Sequence, residues 1–179
     1  MSEIRAKQKE VTDVFGHTYV LTEKLGQGGQ GVVWKTDHPK VLIKGFIDKD
    51  KDPDLCRRWL DQKSWLMRQD LAGLHLARPV ALLKAPRAGY VMELMDGLIP
   101  LTHMLERVSE EGIEGFLQNG GLARRLQLLK KLATTLALLH ARGMMYGDLS
   151  PDNIYVSPEV ENTELWLIDC DNISFESKP

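Results

Sequence analysis

The chain has 179 residues, 43% of them hydrophobic and 27% charged, enough apolar content for one soluble domain with a core of its own. A balance of 23 basic against 25 acidic side chains leaves a formal net charge of -2 with the signs interspersed, which gives no basic field for nucleic acid or an acidic membrane surface. No apolar run approaches the roughly 18 residues of a spanning helix, and Cys56 and Cys170 allow one disulfide but no framework and share no metal-ligand spacing with the histidines, so a reducing, cytoplasmic setting is expected.

Residues Met1 to Asp13 are charged and weakly patterned, and read as a tail or a loosely packed helix. His17 to Lys24, rich in Tyr, Val and Thr, reads as a strand. It runs into Gly26-Gln27-Gly28-Gly29-Gln30-Gly31, where Gly26, Gly28 and Gly31 have the G-x-G-x-x-G spacing. Such glycines serve either a dinucleotide-binding turn that opens a helix or a hairpin that covers phosphates, and a plain flexible turn is a third reading. The β-branched and aromatic Val32-Val33-Trp34-Lys35-Thr36 that follows favours the hairpin, while Asp48 and Asp50, near the distance of a ribose-binding carboxylate, keep the dinucleotide reading open. Val41-Leu42-Ile43-Lys44 reads as the next strand, in which alternation puts Lys44 on the face of Leu42.

Asp52-Pro53-Asp54 supplies a cap and first turn for an amphipathic helix over Asp54 to Leu71, with Leu55, Trp59, Leu66 and Leu71 as its apolar residues. Leu76 to Leu83 and Gly89 to Met95 read as two further strands, which makes a five-stranded sheet with one helix. Leu98 to Val108 reads as helical, and Ser109 to Gly121, with four glycines, as a loop. Leu122 to His140 carries an apolar stripe of Leu122, Leu126, Leu129, Ala133, Leu136 and Leu139 and ends at a C-cap glycine, Gly143. His140 reads as a structural side chain at the helix end. Then come Tyr146-Gly147-Asp148-Leu149-Ser150-Pro151-Asp152-Asn153 and Leu167-Ile168-Asp169-Cys170-Asp171, which set a carboxylate five residues before an asparagine and a second carboxylate at a strand end. Such oxygen donors suit magnesium.

In this order the motifs resemble those of the protein-kinase-like superfamily, with Asp148 and Asn153 at the spacing of its catalytic loop and Asp169 at its D-F-G aspartate. The resemblance implies an α+β fold, with a five-stranded antiparallel N-lobe and one helix over residues 1–95 and a partial helical C-lobe over 96–179. It implies ATP and Mg2+ as cofactors and a hydroxyl acceptor on a protein or a small molecule, with no nucleic acid and no membrane as partners. By the same resemblance Asp148 orients the acceptor hydroxyl, Asn153 and Asp169 hold the metal, and Lys44 pairs with phosphates. Leu25, Gly26, Gly28, Gly29, Gly31, Val33 and Tyr155 enclose the nucleotide, and the main chain at Glu93 and Met95 holds the adenine edge.

Departures from the pattern set the alternatives. The helix glutamate that should pair with Lys44 is absent, so Asp61 or Gln62 is expected in its place. Tyr146 and Gly147 replace His and Arg, Ser150 replaces a lysine, and Cys170-Asp171 replaces Phe-Gly, with Asp171 expected in solvent. The glycine loop is similar to that of bacterial serine/threonine kinases, whereas Gly147-Asp148-Leu149 is similar to the loop of aminoglycoside and choline phosphotransferases. The chain ends eight residues after Asp171, short of an activation segment, so a fragment or a partner covering the C-lobe is expected. Three readings stand: a serine/threonine kinase, a small-molecule phosphotransferase, and a catalytically silent nucleotide-binding scaffold.

Overall fold

Apolar residues at alternate positions of the N-terminal segments build an antiparallel sheet from β1 (Lys9–Thr12), β2 (Thr18–Gln27), β3 (Gly31–Thr36), β4 (Val41–Phe46), β5 (Pro79–Leu82) and β6 (Gly89–Glu93), in the order β1-β2-β3-β4-β6-β5. The structure is a computed structural model that describes residues 9–28, 31–47 and 52–175. Two units make up the chain, the first ending at Asp70 and resuming over Arg78–Leu94, the second taking Leu71–Ala77 and the chain from Met95 onward.

In the first unit the sheet has six strands where five are expected. Lys9–Thr12, expected in a tail, pairs along β2 with Val11 opposite Tyr19. The cause lies next door: Asp13 is buried and accepts hydrogen bonds from the Phe15 and His17 N–H groups, from His17 Nδ1 and from the Tyr19 hydroxyl, so the turn holds β1 against its neighbour. On one face of the sheet Val11, Ile43, Ala81, Leu83 and Val91 form a core, and on the other Leu42, Phe46, Tyr90 and Met92 pack against Cys56 and Trp59 of helix α1 (Pro53–Met67). Asp52 caps α1 by accepting from the Leu55 N–H at 2.8 Å, and Pro53 fills a first-turn position whose amide has no helical partner.

The second unit holds β7 (Ile99–Pro100), α2 (Leu101–Gln118), α3 (Gly121–Ala141), β8 (Met144–Tyr146), β9 (Ile154–Val156), β10 (Leu165–Leu167) and β11 (Ile173–Phe175). Strands β10, β9 and β7 form one small antiparallel sheet, and β11 pairs with β8. The expected strand at Leu76 starts only at Pro79, because Leu76 instead bridges Leu167 of this unit.

Two further expectations change here. The glycine-rich segment Ser109 to Gly121 is helix rather than loop: α2 runs through it, bending where Gly112 takes φ 62° and ψ −137°. Gly115 is required for packing, since a Cβ there would lie 2.7 Å from the Arg107 carbonyl oxygen. In α3 the buried face comprises Arg124, Leu128, Thr135 and Leu139, whereas Leu122, Leu126 and Leu129 are 62%, 56% and 59% exposed. The Arg124 guanidinium sets that rotation, donating to the Ser157 carbonyl at 2.5 Å. Gly143, at φ 71°, closes α3 as expected, with His140 exposed at its end. Cys56 and Cys170 are both buried and form no disulfide.

Candidate functional site

In the first unit, residues directly opposite on antiparallel strands share a face. The register sets Gly26 opposite Val33, Val33 opposite Lys44 and Lys44 opposite Tyr90, a row across β2, β3, β4 and β6. Lys44 is buried in this row at 7% exposure. Gly31 lies over its stem: a Cβ at Gly31 would stand 3.0 Å from Lys44 Cε and 3.1 Å from the Gly45 carbonyl oxygen. The N–H of Gly28 donates to the Gly31 carbonyl at 2.9 Å, closing a hairpin. The glycines therefore join two strands and open no helix, which removes the dinucleotide reading. Gly26 and Gly28 have open space where a side chain would stand, and Leu25 beside them is exposed. Gly29, Asp48 and Asp50 lie outside the described residues. Glu93 closes β6 opposite Val41, and Met95 follows two residues later.

Helix α1 differs from expectation in its charge. Its buried face is Cys56, Trp59, Lys63 and Leu66, while Asp61 points to solvent. Lys63 is fully buried, lies 5.1 Å from the centre of the Trp59 ring, and donates to Gln62 Oε1 at 2.9 Å. The side chain this helix turns inward is thus a cation. Its signal in the sequence is only the spacing of positions 56, 59, 63 and 66, where a lysine interrupts an otherwise apolar face.

The second unit gathers the catalytic-loop residues. Asn153 Nδ2 donates to the Asp148 carbonyl at 3.0 Å and to Asp148 Oδ2 at 3.1 Å, and Asn172 Nδ2 reaches the same carboxylate oxygen at 3.4 Å. Asn172 comes within reach because β11 pairs with β8 and Gly147 N–H donates to the Asn172 carbonyl at 2.9 Å. That approach demands glycine at 147, since a Cβ there would lie 2.9 Å from the same oxygen. Ile168 N–H donates to the Asn153 carbonyl at 2.9 Å, and the Tyr146 hydroxyl donates to the Ile168 carbonyl, so Asp169 follows a residue fastened from both sides.

Asp169 has φ 66°, the left-handed region, the one non-glycine residue there among those described, and its Oδ1 accepts from the Asp171 N–H at 3.0 Å. Asp171, expected in solvent, is buried, drawn inward by the tight turn that begins at Asp169. Burial first, then Cys170 and the carboxylates of Asp169, Asp148 and Asp171, push the Tyr146 phenol far above its usual range, so it remains a donor. Tyr155, opposite Trp166 and Pro100, is partly buried, and burial followed by Asp152 pushes its phenol above the usual range as well.

Among the described residues no three His, Cys, Asp or Glu side chains converge on a metal position. The Asn153 amide nitrogen is committed to Asp148, which leaves its oxygen, a hard donor of the kind magnesium takes. Hard oxygen donors of this number fit magnesium that keeps water and phosphate ligands.

Residues 62–176, well over half of the chain, match the lipopolysaccharide kinase (Kdo/WaaP) family. The chain belongs to that family. Among curated relatives of this lipopolysaccharide kinase family member, serine/threonine-protein kinase YabT of Bacillus subtilis is 29% identical over 148 residues, covering 79% of this chain and 39% of the relative. Serine/threonine-protein kinase PkaA of Streptomyces coelicolor is 27% identical over 157 residues, covering 78% of this chain and 26% of that protein. The kinase domain of Mycobacterium tuberculosis PknI superposes on all of this chain and 67% of its own with a TM-score of 0.61 at 20% identity, which shows a protein-kinase-like α+β fold. The chain spans about two fifths of the length of YabT and a quarter of that of PkaA. No helix among the described residues is long and apolar enough to cross a membrane.

Proposed function

We propose that this kinase-family chain transfers the γ-phosphoryl group of ATP, with Mg2+, to a hydroxyl. The acceptor oxygen attacks the γ-phosphorus, the bond to the ADP oxygen breaks, and the acceptor proton passes to Asp148 and on to solvent. The observation that carries the reading is the Asp148 carboxylate held by the amides of Asn153 and Asn172, a general base fixed in position. Asn153 and Asp169 hold the metal. Lys44 carries the α- and β-phosphates beneath the loop of Gly26, Gly28, Gly29 and Gly31. Leu25, Val33 and Tyr155 line the adenine, whose edge meets the main chain of Glu93 and Met95.

The relatives named serine/threonine-protein kinases support a protein hydroxyl as acceptor. The family name and the required Gly147 support a second reading, a sugar or other small-molecule hydroxyl. Melting curves with ATP, with and without magnesium, test the nucleotide site: magnesium-dependent stabilisation is expected in the wild type and lost in Lys44→Ala and Asp169→Ala. A radiolabel-transfer assay against casein and against a lipopolysaccharide preparation then decides the acceptor. Asp148→Asn is expected to keep the stabilisation by ATP and magnesium but lose about 10²- to 10⁴-fold in turnover. Transfer at undiminished rate in Asp148→Asn would overturn the assignment.

A further inference from the structure

A second candidate site lies in the unit that carries the catalytic loop, yet it shares no residue with that loop. It is a cavity of about 380 Å³ formed by α3, by the segment around His75 and by Thr163 before β10. This volume is in the range of small-molecule sites, roughly 300–1,000 Å³. Gln127, Lys130, Lys131, Thr135, His75 and Thr163 line it, and no carboxylate does.

Several of its polar groups are uncommitted among the described residues. Lys130 and Lys131 have no ion-pair partner among the described residues, although acidic side chains outnumber basic ones in the chain. Thr134, the neighbour of Thr135, returns its hydroxyl to the Lys130 carbonyl at 2.8 Å, the usual fate of a helical threonine. Thr135 does not: it is 6% exposed, it lines the cavity, and its hydroxyl has no hydrogen-bond partner among the described residues. His75 is held rigidly, with Nδ1 at 3.0 Å from the Leu165 carbonyl oxygen and its ring stacked on Trp166 at 5.1 Å, and its second nitrogen has no partner among the described residues.

We propose that this cavity is a ligand site for a small phosphorylated polyol, separate from the site around Asp148. Two ammonium groups one residue apart on a helix suit the oxygens of a phosphomonoester, and no acidic side chain repels it. The threonine hydroxyls and the Gln127 amide offer donors and acceptors to the hydroxyls of the polyol body, for which the volume leaves room beyond a phosphate alone.

The test is isothermal titration of the full chain with glucose 6-phosphate, with glucose and with inorganic phosphate as controls. Saturable binding of glucose 6-phosphate is expected, weakened roughly tenfold or more in Lys130→Gln/Lys131→Gln and measurably in Thr135→Val. The lysines are exposed, so their replacement leaves folding intact, and Thr135→Val conserves shape at the buried position. Asp169→Ala is expected to bind as the wild type does, which separates this site from the nucleotide site. No saturable binding, equal binding by the double-lysine variant, or inorganic phosphate binding as tightly as the sugar phosphate would each overturn the proposal, the last reducing the cavity to an adventitious ion site.

Discussion

A phenol at position 146 performs a fastening task that depends on its remaining protonated. Burial and the surrounding carboxylates ensure this, so the hydrogen bond to the Ile168 carbonyl persists across the working pH range. Tyr146→Phe leaves that carbonyl unsatisfied and is expected to cost about 1–3 kcal/mol in stability. Because the lost bond steadies the residue before Asp169, the magnesium concentration for half-maximal turnover should rise while the KM for the acceptor stays the same. A magnesium titration of both proteins checks this, and an unchanged midpoint would make Tyr146 a purely structural residue. At this scale the spacing of Asp148 and Asn153 was legible in that their side chains meet, as five residues across a tight turn allow. Asn172 was not, because it joins Asp148 only through the pairing of β11 with β8, 24 residues away in the chain. Lys63 was missed for a different reason: a buried cation breaks the apolar pattern by which a helix face is recognised.

Single elements make sharper predictions where one atom of added volume meets backbone. Gly147→Ala would drive a methyl against the Asn172 carbonyl oxygen, so β8 and β11 must part and Asn172 must leave the Asp148 carboxylate. Both stability and turnover are expected to fall, the second in excess of what the melting temperature explains. The β1–β2 turn makes a pH prediction. Burial raises the Asp13 carboxyl, but the hydrogen bonds from the backbone and ring of His17, from Phe15 and from Tyr19 outweigh it, holding its pKa below the ordinary value of 3.8. A depressed carboxylate contributes stability that is complete above its unfolded pKa and is lost as pH falls through the folded one. The gap in melting temperature between wild type and Asp13→Asn should therefore be widest near neutrality and close below about pH 4. This turn also explains why β1 was not foreseen. Lys9-Glu10-Val11-Thr12 has one apolar residue facing inward, and its strand state comes from the anchored Asp13 rather than from its own pattern. Glycines misled in the opposite direction at α2, where Gly112 bends a helix and Gly115 lets it pack, although four glycines within 13 residues read as a loop.

For the molecule as a whole, the order of strands, helices and motifs was legible because most connections are short and each hairpin is written in its own segment. What covers each surface was not. The period of α3 was correctly read, but periodicity names candidate faces without saying which one meets the core. Of the stripe read from the sequence, Leu139 is buried at the C-terminal end while Leu122, Leu126 and Leu129 are exposed. Replacing these three by serine is therefore expected to change the melting temperature little, whereas Leu128→Ala and Leu139→Ala should cost about 2–5 kcal/mol each. A large loss in the triple variant would show that the row is packed in solution. The chain also carries a pair of reporters. Each unit has a single sulfhydryl, Cys56 in the first and Cys170 in the second, both shielded from reagent in the native state. Alkylation pulses along a urea series, read peptide by peptide in a mass spectrometer, would time the opening of each half separately with no label introduced.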